Sequence, residues 1–165
     1  MNQQGPPFQG KYRGVVTDNN DPLMKGRLRA RVPDVYGEHE SGWAMPSVPY
    51  AGEGVGLFLI PPVDASVWIE FENGDPDYPI WSGCFWAEGE VPAQPAVPQM
   101  KVLKTDVGTI TLDDAPGAGG ITIETQAGMK VAITATGIEI NDGQGGSIKL
   151  TGPKVAINEG ALEVI

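Results

Sequence analysis

Few residues of the kinds that perform chemistry occur in this chain. It contains one histidine, His39, and one cysteine, Cys84, which lie far apart in the sequence. A cysteine nucleophile needs a histidine within hydrogen-bond reach and a third group that orients the histidine. We therefore favour a simpler interpretation, in which His39 lies in a surface loop and Cys84 is a small buried thiol in a strand.

Three pairs of neighbouring carboxylates are the other candidates for acid–base chemistry: Glu70 with Glu72, Asp75 with Asp77, and Asp113 with Asp114. Such a pair divides the roles of acid and base when its two environments push the pKa values apart. Nothing in the sequence buries one member of a pair and exposes the other. The chain is therefore predicted to have no catalytic residues and not to be an enzyme.

Two glycine-rich segments invite a comparison with ion-binding and phosphate-binding loops. Residues 141–146 resemble one unit of a calcium-binding glycine/aspartate repeat, but such sites need stacked units and this segment occurs once. A plain turn is the favoured interpretation. Residues 117–120 lack the Gly-Lys-Ser/Thr that completes a phosphate loop. We predict no metal and no cofactor.

The charge of the chain argues against nucleic acid as a partner. Twenty-one acidic residues against eleven basic ones give a net charge of −10, whereas nucleic-acid affinity comes mainly from basic side chains that neutralise phosphate. Arg27, Arg29 and Arg31 alternate with apolar residues, which predicts a half-buried strand with one basic face. We expect these arginines to pair with acidic residues on a neighbouring strand or protomer.

The beginning of the chain has neither the basic nor the apolar segment of a secretory signal. No apolar run approaches the roughly 20 residues that a membrane helix needs. A single cysteine permits no internal disulfide, which is compatible with a reducing compartment. These features predict synthesis in the cytoplasm without a signal peptide.

The aromatic residues divide the chain into two regions. All twelve lie between Phe8 and Trp86, and none follows Trp86. Two regions with such different core materials are not expected to share a core. Three prolines within residues 88–99 predict an extended connection between them. The predicted organisation is an arm over residues 1–9, a barrel over 10–87, a proline-rich linker over 88–100 and a repetitive region over 101–165.

The first region is predicted to be a small closed β-barrel. Its candidate strands are residues 10–17, 26–32, 43–48, 56–60, 66–72 and 78–85. Alternation is clearest where Val67, Ile69 and Phe71 interleave with polar or amphipathic neighbours. Five or six strands in so short a stretch fit a barrel, because closure removes exposed sheet edges.

The second region repeats one simple pattern. Its aliphatic residues fall in pairs spaced i and i+2, and turns rich in glycine or polar residues separate the pairs. The pairs are Ile110/Leu112, Ile121/Ile123, Val131/Ile133, Ile138/Ile140, Ile148/Leu150, Val155/Ile157 and Leu162/Val164. In a strand, residues two apart point to the same face. Each predicted strand therefore presents two aliphatic side chains on one face and mostly small or polar residues on the other, which is predicted to face water.

This pattern gives one chain too small a core. Two aliphatic side chains per strand, none of them aromatic, do not offset the entropy lost when the strands become ordered. The simplest remedy is association of identical faces around a common axis, which favours a closed ring. Three narrow strips enclose a triangular core, so we predict a homotrimer with all fourteen paired residues facing inward.

Four segments of the first region resemble one known family. They are residues 10–22, 26–33, 54–62 and 67–86, and the last contains E-F-E-x-G-D-P-D-x-P-I-x-x-G. This series, in this order, resembles the opening of the phage baseplate assembly protein V family. It is similar also to the spike module of type VI secretion VgrG proteins. The repetitive region resembles the triple-stranded β-helix that follows the barrel in that family.

The resemblance implies an all-β protein, with an OB-fold barrel followed by an intertwined trimeric β-helix. It implies the structural central spike of a contractile, phage-tail-like injection machine, which would pierce the target membrane when the sheath contracts. The barrel end would meet the baseplate hub or inner tube. The protein would then reside in the baseplate of an assembled tail or injection particle.

Two features depart from some relatives and direct attention to the tip. Some members carry a muramidase domain, for which this sequence leaves no room, and some short spikes end in a His-x-His metal apex. Here the only histidine is His39, and the sequence closes on Leu162, Val164 and Ile165. These three residues are predicted to dock a separate PAAR-type tip protein.

Two other functions stay open at this point. One is a trimeric OB-fold binding module that recognises oligonucleotide or glycan, and the other is a small lytic enzyme at a tail tip. The sequence does not distinguish a phage from a bacteriocin, an extracellular injection particle or a type VI apparatus.

Overall fold

The computed structural model describes residues 7–164, with the side chains of 163 and 164 left out. Within that range the chain is almost entirely β, with fifteen strands and only three short helical turns. It divides into two compact units, Met1–Gly89 and Glu90–Ile165. Residues 85–99 contain no strand or helix. The predicted boundaries at 9/10, 87/88 and 100/101 stay predictions.

The first unit contains seven strands and one short helix. The strands are β1 Tyr12–Asp18, β2 Arg29–Arg31, β3 Met45–Pro46, β4 Ala51–Gly52, β5 Val55–Gly56, β6 Ser66–Phe71 and β7 Pro79–Cys84, and α1 is Pro33–Tyr36. Five of them pair in the order β2-β1-β6-β7-β3, with β3 parallel to β7. The two ends of this sheet then meet, because Leu28 and Ala44 exchange backbone hydrogen bonds of 3.3 and 2.7 Å. The five strands therefore close into a barrel, as the sequence predicted.

The barrel interior holds one apolar cluster made of alternate residues from its strands. Its buried members are Val16, Leu28, Ala30, Val32, Ala44, Val67, Ile69, Phe71 and Trp81. The predicted alternation on β2 and β6 is confirmed, since the apolar residues point inward and their polar neighbours are exposed or half-buried. Trp81 also satisfies its indole nitrogen, which donates to the Gly26 carbonyl at 3.1 Å. A buried indole N–H needs such a partner.

A buried carboxylate organises the turn that leads into β2. Asp21 accepts hydrogen bonds from the backbone N–H groups of Leu23 at 2.9 Å and Lys25 at 2.8 Å, and from the Arg27 guanidinium at 2.6 Å. The Arg27 hydrogen bond, together with the backbone donors, holds the pKa of Asp21 well below its usual range. The turn therefore closes around an ionised, fully partnered side chain.

One predicted strand of the barrel is wrong. The expected strand over residues 56–60 ends at Gly56, and residues 57–60 are irregular. The hairpin partner β4 is only two residues long, and Pro61 and Pro62 follow with no backbone donor to extend the pairing. Leu57, Phe58 and Leu59 are accordingly exposed rather than paired in a sheet.

The second unit is a meander of eight antiparallel strands, called the ladder below. The strands are β8 Met100–Lys104, β9 Gly108–Asp113, β10 Gly120–Thr125, β11 Lys130–Thr134, β12 Gly137–Asn141, β13 Ser147–Thr151, β14 Lys154–Ile157 and β15 Leu162–Val164. Each strand pairs with the next in sequence, from β8 to β15. The seven predicted pairs lie one to a strand in β9–β15. β8 was not predicted, because its sequence lacks an i, i+2 aliphatic pair.

Glycine permits the tight spacing at the edges of the ladder. Gly137 opens β12 at φ +147°, and a Cβ there would lie 2.0 Å from the Leu150 carbonyl oxygen. Any side chain at this position would push β12 away from β13. The close pairing of β12 with β13 therefore depends on this residue.

Candidate functional site

The aliphatic residues of the ladder form two columns that cross all of its strands. Cross-strand partners point to the same face, and the register aligns aliphatic with aliphatic at nearly every rung. The first column is Leu103, Ile110, Ile123, Val131, Ile140, Ile148, Ile157 and Leu162. The second column is Lys101, Leu112, Ile121, Ile133, Ile138, Leu150, Val155 and Val164. We call the face that bears both columns the apolar face.

The apolar face is open to solvent in the single chain. Eleven of the fourteen predicted core residues have exposed side chains, from 37% at Ile110 to 56% at Leu162. Val155 and Ile157 are half-buried, and the side chain of Val164 lies outside the described residues. A continuous exposed apolar surface of this extent is typical of an interaction site. By their pairing register, all fourteen residues lie at positions of one face of the ladder.

The opposite face of the ladder carries small and polar side chains. Thr111, Thr122 and Glu139 are half-buried there, and Glu139 lies 3.7 Å from Lys149 in an ion pair. Ala132 departs from the prediction that this face meets water, since only 6% of it is exposed. Its neighbours across the strands are the larger Thr122 and Glu139, which shield the small methyl group.

The residues that carry reactive groups are not brought together in the barrel. His39 is exposed in the loop after α1, as predicted. Cys84 is exposed rather than buried, because it ends β7 where the pairing with β6 shifts register. Within residues 7–164 no group of three or more His, Cys, Asp or Glu side chains is arranged to hold a metal ion.

The paired carboxylates serve turns and ion pairs. Asp75 accepts the backbone N–H of Asp77 at 3.0 Å. Glu70 lies 3.3 Å from Lys11, and Asp113 accepts the backbone N–H of Ala115 at 2.9 Å. Burial, with the charges of Asp77 and Asp75 added, raises the pKa of Tyr36 to about 12.

The segment that resembles a calcium repeat is a self-contained turn. Asp142 accepts the backbone N–H groups of Gln144 at 2.8 Å and Gly146 at 2.9 Å, and Asn141 accepts that of Gly143 at 2.7 Å. The side-chain oxygens that would face a cation are used to shape the loop, as turn-forming Asn and Asp commonly do.

Two of the three alternating arginines are paired with acidic residues, although Asp21 lies in the turn that leads into β2 rather than on a neighbouring strand or protomer. Arg27 contacts Asp21, and Arg29 contacts Glu40. Both guanidinium groups also lie over the Trp43 ring, at 5.5 and 5.0 Å from its centre. Partnered guanidinium groups leave little unbalanced positive charge for phosphate. This pairing counts against the oligonucleotide-binding alternative.

Within the described residues no helix is long and apolar enough to cross a membrane.

Both units match known protein families. Residues 12–86 match the type VI secretion system/phage-baseplate injector OB domain. Residues 100–163 match the phage baseplate V C-terminal trimerisation domain. The chain is also 35% identical over 109 residues to a protein of Vibrio cholerae serotype O1 named actin cross-linking toxin VgrG1. That similarity covers 64% of this chain but only 10% of the relative, so this chain spans a small part of that protein's length.

A barrel of the injector OB type followed by a trimerisation ladder defines a structural spike protein of secretion and injection systems. The chain belongs to the phage baseplate V and VgrG-like family. The prediction of this family from the sequence is confirmed, as is the all-β fold class. Membership of the family makes the protein a component of an assembled injection machinery.

Sequence reasoning missed two residues of the apolar face. Leu103 extends the first column by one rung, and Lys101 occupies the matching position in the second. The search for i, i+2 aliphatic pairs could not find β8, since a lysine replaces one member of its pair. One signal was available in the sequence: the segment before the Ile110/Leu112 pair is long enough to form one more strand.

Proposed function

We propose that three copies of this chain associate through their apolar faces to form the needle of a membrane-piercing spike. The single observation that carries the proposal is the pair of aliphatic columns, which crosses eight strands and stays exposed in one chain. Joining three such faces removes them from water, which supplies the driving force that one ladder lacks. The match to a trimerisation domain supports three as the number of copies.

The proposed mechanism is mechanical and assigns no chemistry to the chain. Sheath contraction drives the spike forward, and the narrow trimer concentrates the force on a small area of target membrane. The continuous backbone pairing from β8 to β15 suits this role, because the hydrogen bonds of each strand are shared with its neighbours. The barrel end meets the baseplate hub or the inner tube, and the protein resides in the baseplate of the assembled particle.

The last strand is proposed to receive a PAAR-type tip protein. Among residues 7–164, β15 pairs with β14 on one side only, so within that range its other edge has no strand partner. Leu162 on this strand is the most exposed of the aliphatic column residues whose side chains are described, at 56%. Val164 and Ile165 complete the proposed docking surface, although the side chain of Val164 and all of Ile165 lie outside the described residues. A cap of complementary shape would cover both the edge and the apolar end.

Sedimentation equilibrium on the full chain tests the trimer. A species of three times 17.4 kDa is expected at micromolar concentration. A stably folded monomer would contradict the proposal, since the exposed columns would then need another explanation. Co-purification with tube, baseplate or PAAR-type proteins tests the partners, whereas micromolar binding of single-stranded DNA or glycan would favour the binding-module alternative.

A further inference from the structure

The second column contains one charged residue among its aliphatic ones. Lys101 lies directly opposite Leu112 on the apolar face, and its neighbour two residues on, Leu103, lies opposite Ile110. Among the two columns of eight residues, Lys101 is the only one that is charged. Lys101 lies in β8, the first strand of the ladder. On each of the strands β9–β15, both column positions are aliphatic.

A carboxylate is held beside this lysine on the same face. The backbone N–H of Asp114 donates to the Gln99 carbonyl at 3.0 Å, which continues the pairing of β8 with β9 by one residue. Asp114 follows Leu112 by two positions and therefore points to the apolar face. Its carboxylate bonds the Lys101 ammonium. Both side chains are about half exposed in the single chain, at 52% and 64%, where such a pair adds little stability.

The repetition of the columns creates a problem of alignment in a trimer. Strands are spaced by ~4.8 Å, and an antiparallel meander repeats its strand direction every second strand. Sliding one chain along another by about 10 Å would therefore again place aliphatic rungs against aliphatic rungs. Only the rungs at the two ends of the ladder would be left without a partner. Ile, Leu and Val alone distinguish such slipped arrangements weakly, because similar aliphatic residues tolerate repacking.

We infer that the Lys101–Asp114 pair sets the register of the three chains. In the aligned trimer the three pairs meet at the same level, where each lysine keeps its carboxylate at the end of the apolar core. In a slipped trimer the pair of one chain faces an aliphatic rung of its neighbour, and burying charge against an apolar surface is strongly unfavourable. The pair thus acts against wrong alignments, as a single polar residue does in a coiled coil. This inference rests on the proposed trimer.

Distances between spin labels in the refolded full chain test the inference. A Cys84→Ser, Thr122→Cys chain carries one label on the polar face, so an aligned trimer gives a single label-to-label distance. Lys101→Met combined with Asp114→Asn, which removes both charges and keeps similar side-chain lengths, is expected to add a second, longer distance from slipped chains after refolding. Lys101→Arg is the matched control and should keep the single distance.

The outcomes separate this inference from the proposed function. If the variant with both substitutions forms a trimer with the same single distance as Lys101→Arg, the register role is overturned while the trimer stands. If the unmodified chain does not form a trimer by sedimentation, the proposed function and this inference both fail. Asp114→Asn alone, which leaves the lysine charged and unpaired, should lower the fraction of trimer more than the variant with both substitutions does. An unchanged fraction would contradict the role given to the pair.

Discussion

The barrel and the ladder use the same antiparallel strands, yet they treat their apolar side chains in opposite ways. Nine residues of the barrel form a buried core, including Phe71 and Trp81. In the described part of the ladder only Ala132 and Ser147 are buried, and the aliphatic columns are open. A closed sheet encloses its own inner face, whereas an open meander has no second layer to cover either face. The barrel thus buries its own core within one chain, whereas the ladder is proposed to bury its columns only in an assembly.

This difference separates two sources of stability. Barrel residues are covered by neighbours from the same chain, so their contribution does not depend on protein concentration. Ladder residues are expected to be covered by other copies, so their contribution does depend on it. All four tryptophans lie in the barrel region. Tryptophan fluorescence therefore reports barrel unfolding, while sedimentation reports the association of ladders.

The largest effect is expected when a charged residue is placed on the apolar face of the ladder. Ile123→Lys places a cation in the first column, and the proposed trimer would bury three of them. Each unpaired buried ion costs several kcal/mol, so we expect the trimer to dissociate at micromolar concentration while the barrel keeps its fluorescence transition. Thr122→Lys, one residue away on the polar face, is the matched control and should remain trimeric. Equal behaviour of the two variants would mean that the apolar face is not the interface.

The reverse experiment removes core from the barrel and leaves the ladder intact. Ile69 is fully buried, and truncating such a residue to alanine typically costs about 2–5 kcal/mol. Ile69→Ala should lower the urea midpoint of the fluorescence transition accordingly, with the trimer retained in sedimentation. The neighbouring Glu70 forms an exposed ion pair with Lys11, so Glu70→Ala should cost less than about 1 kcal/mol. Loss of the trimer in Ile69→Ala would show that the two units are not independent.

The contrast between the units also explains what the sequence could predict. Period-two alternation marked β6 correctly, because Val67, Ile69 and Phe71 face one interior and their neighbours do not. The i, i+2 pairs located seven of the eight ladder strands for the same reason. The pattern did not identify β8, because Lys101 replaces an aliphatic residue at the β8 end of the second column. A regular i, i+2 spacing of aliphatic residues identifies the apolar face of a strand. It misses a strand such as β8, in which a charged residue occupies one of the two positions.

Features set by contacts between distant residues could not be predicted in the same way. The expected strand over 56–60 failed because its partner β4 is short, which alternation within the segment cannot reveal. Cys84 was predicted to be a small buried thiol because free cysteines usually pack in protein interiors, whereas the register shift between β6 and β7 leaves it exposed. The cluster of Asp and Asn residues over 18–21, followed by Pro22, predicts a turn that contains Asp21. Its partnership with Arg27 becomes visible only once the turn is folded.

The pH dependence of barrel stability tests the contribution of the Asp21 carboxylate. Ionised Asp21 is bound by Arg27 and by backbone donors, so its pKa in the folded barrel lies below the ordinary value of 3.8. A depressed pKa contributes stability that is fully present above the ordinary pKa and is lost as the pH falls through the folded value. Asp21→Asn should therefore lower the urea midpoint of the tryptophan fluorescence transition at neutral pH, and by more than Glu70→Ala does.

The difference in urea midpoint between Asp21→Asn and the unmodified chain should then become smaller below about pH 4, where the carboxyl of the unfolded chain takes up a proton. A difference that stays constant down to strongly acidic pH would contradict the assigned role of the ionised carboxylate. The proposed trimer interface contains no part of this turn, so sedimentation at neutral pH should be unchanged.

The smallest effect is expected on the polar face of the ladder. Glu139 and Lys149 are 3.7 Å apart and more than a third exposed, and such pairs typically contribute between zero and about 1 kcal/mol. Glu139→Gln should change the stability of the assembled ladder by no more than that, measured as the midpoint of the far-ultraviolet circular dichroism transition in urea. The change should disappear at about 1 M salt, where the screening length falls to roughly 3 Å. A large, salt-independent loss would mean that the polar face is buried too, and the ladder would then have two interfaces rather than one.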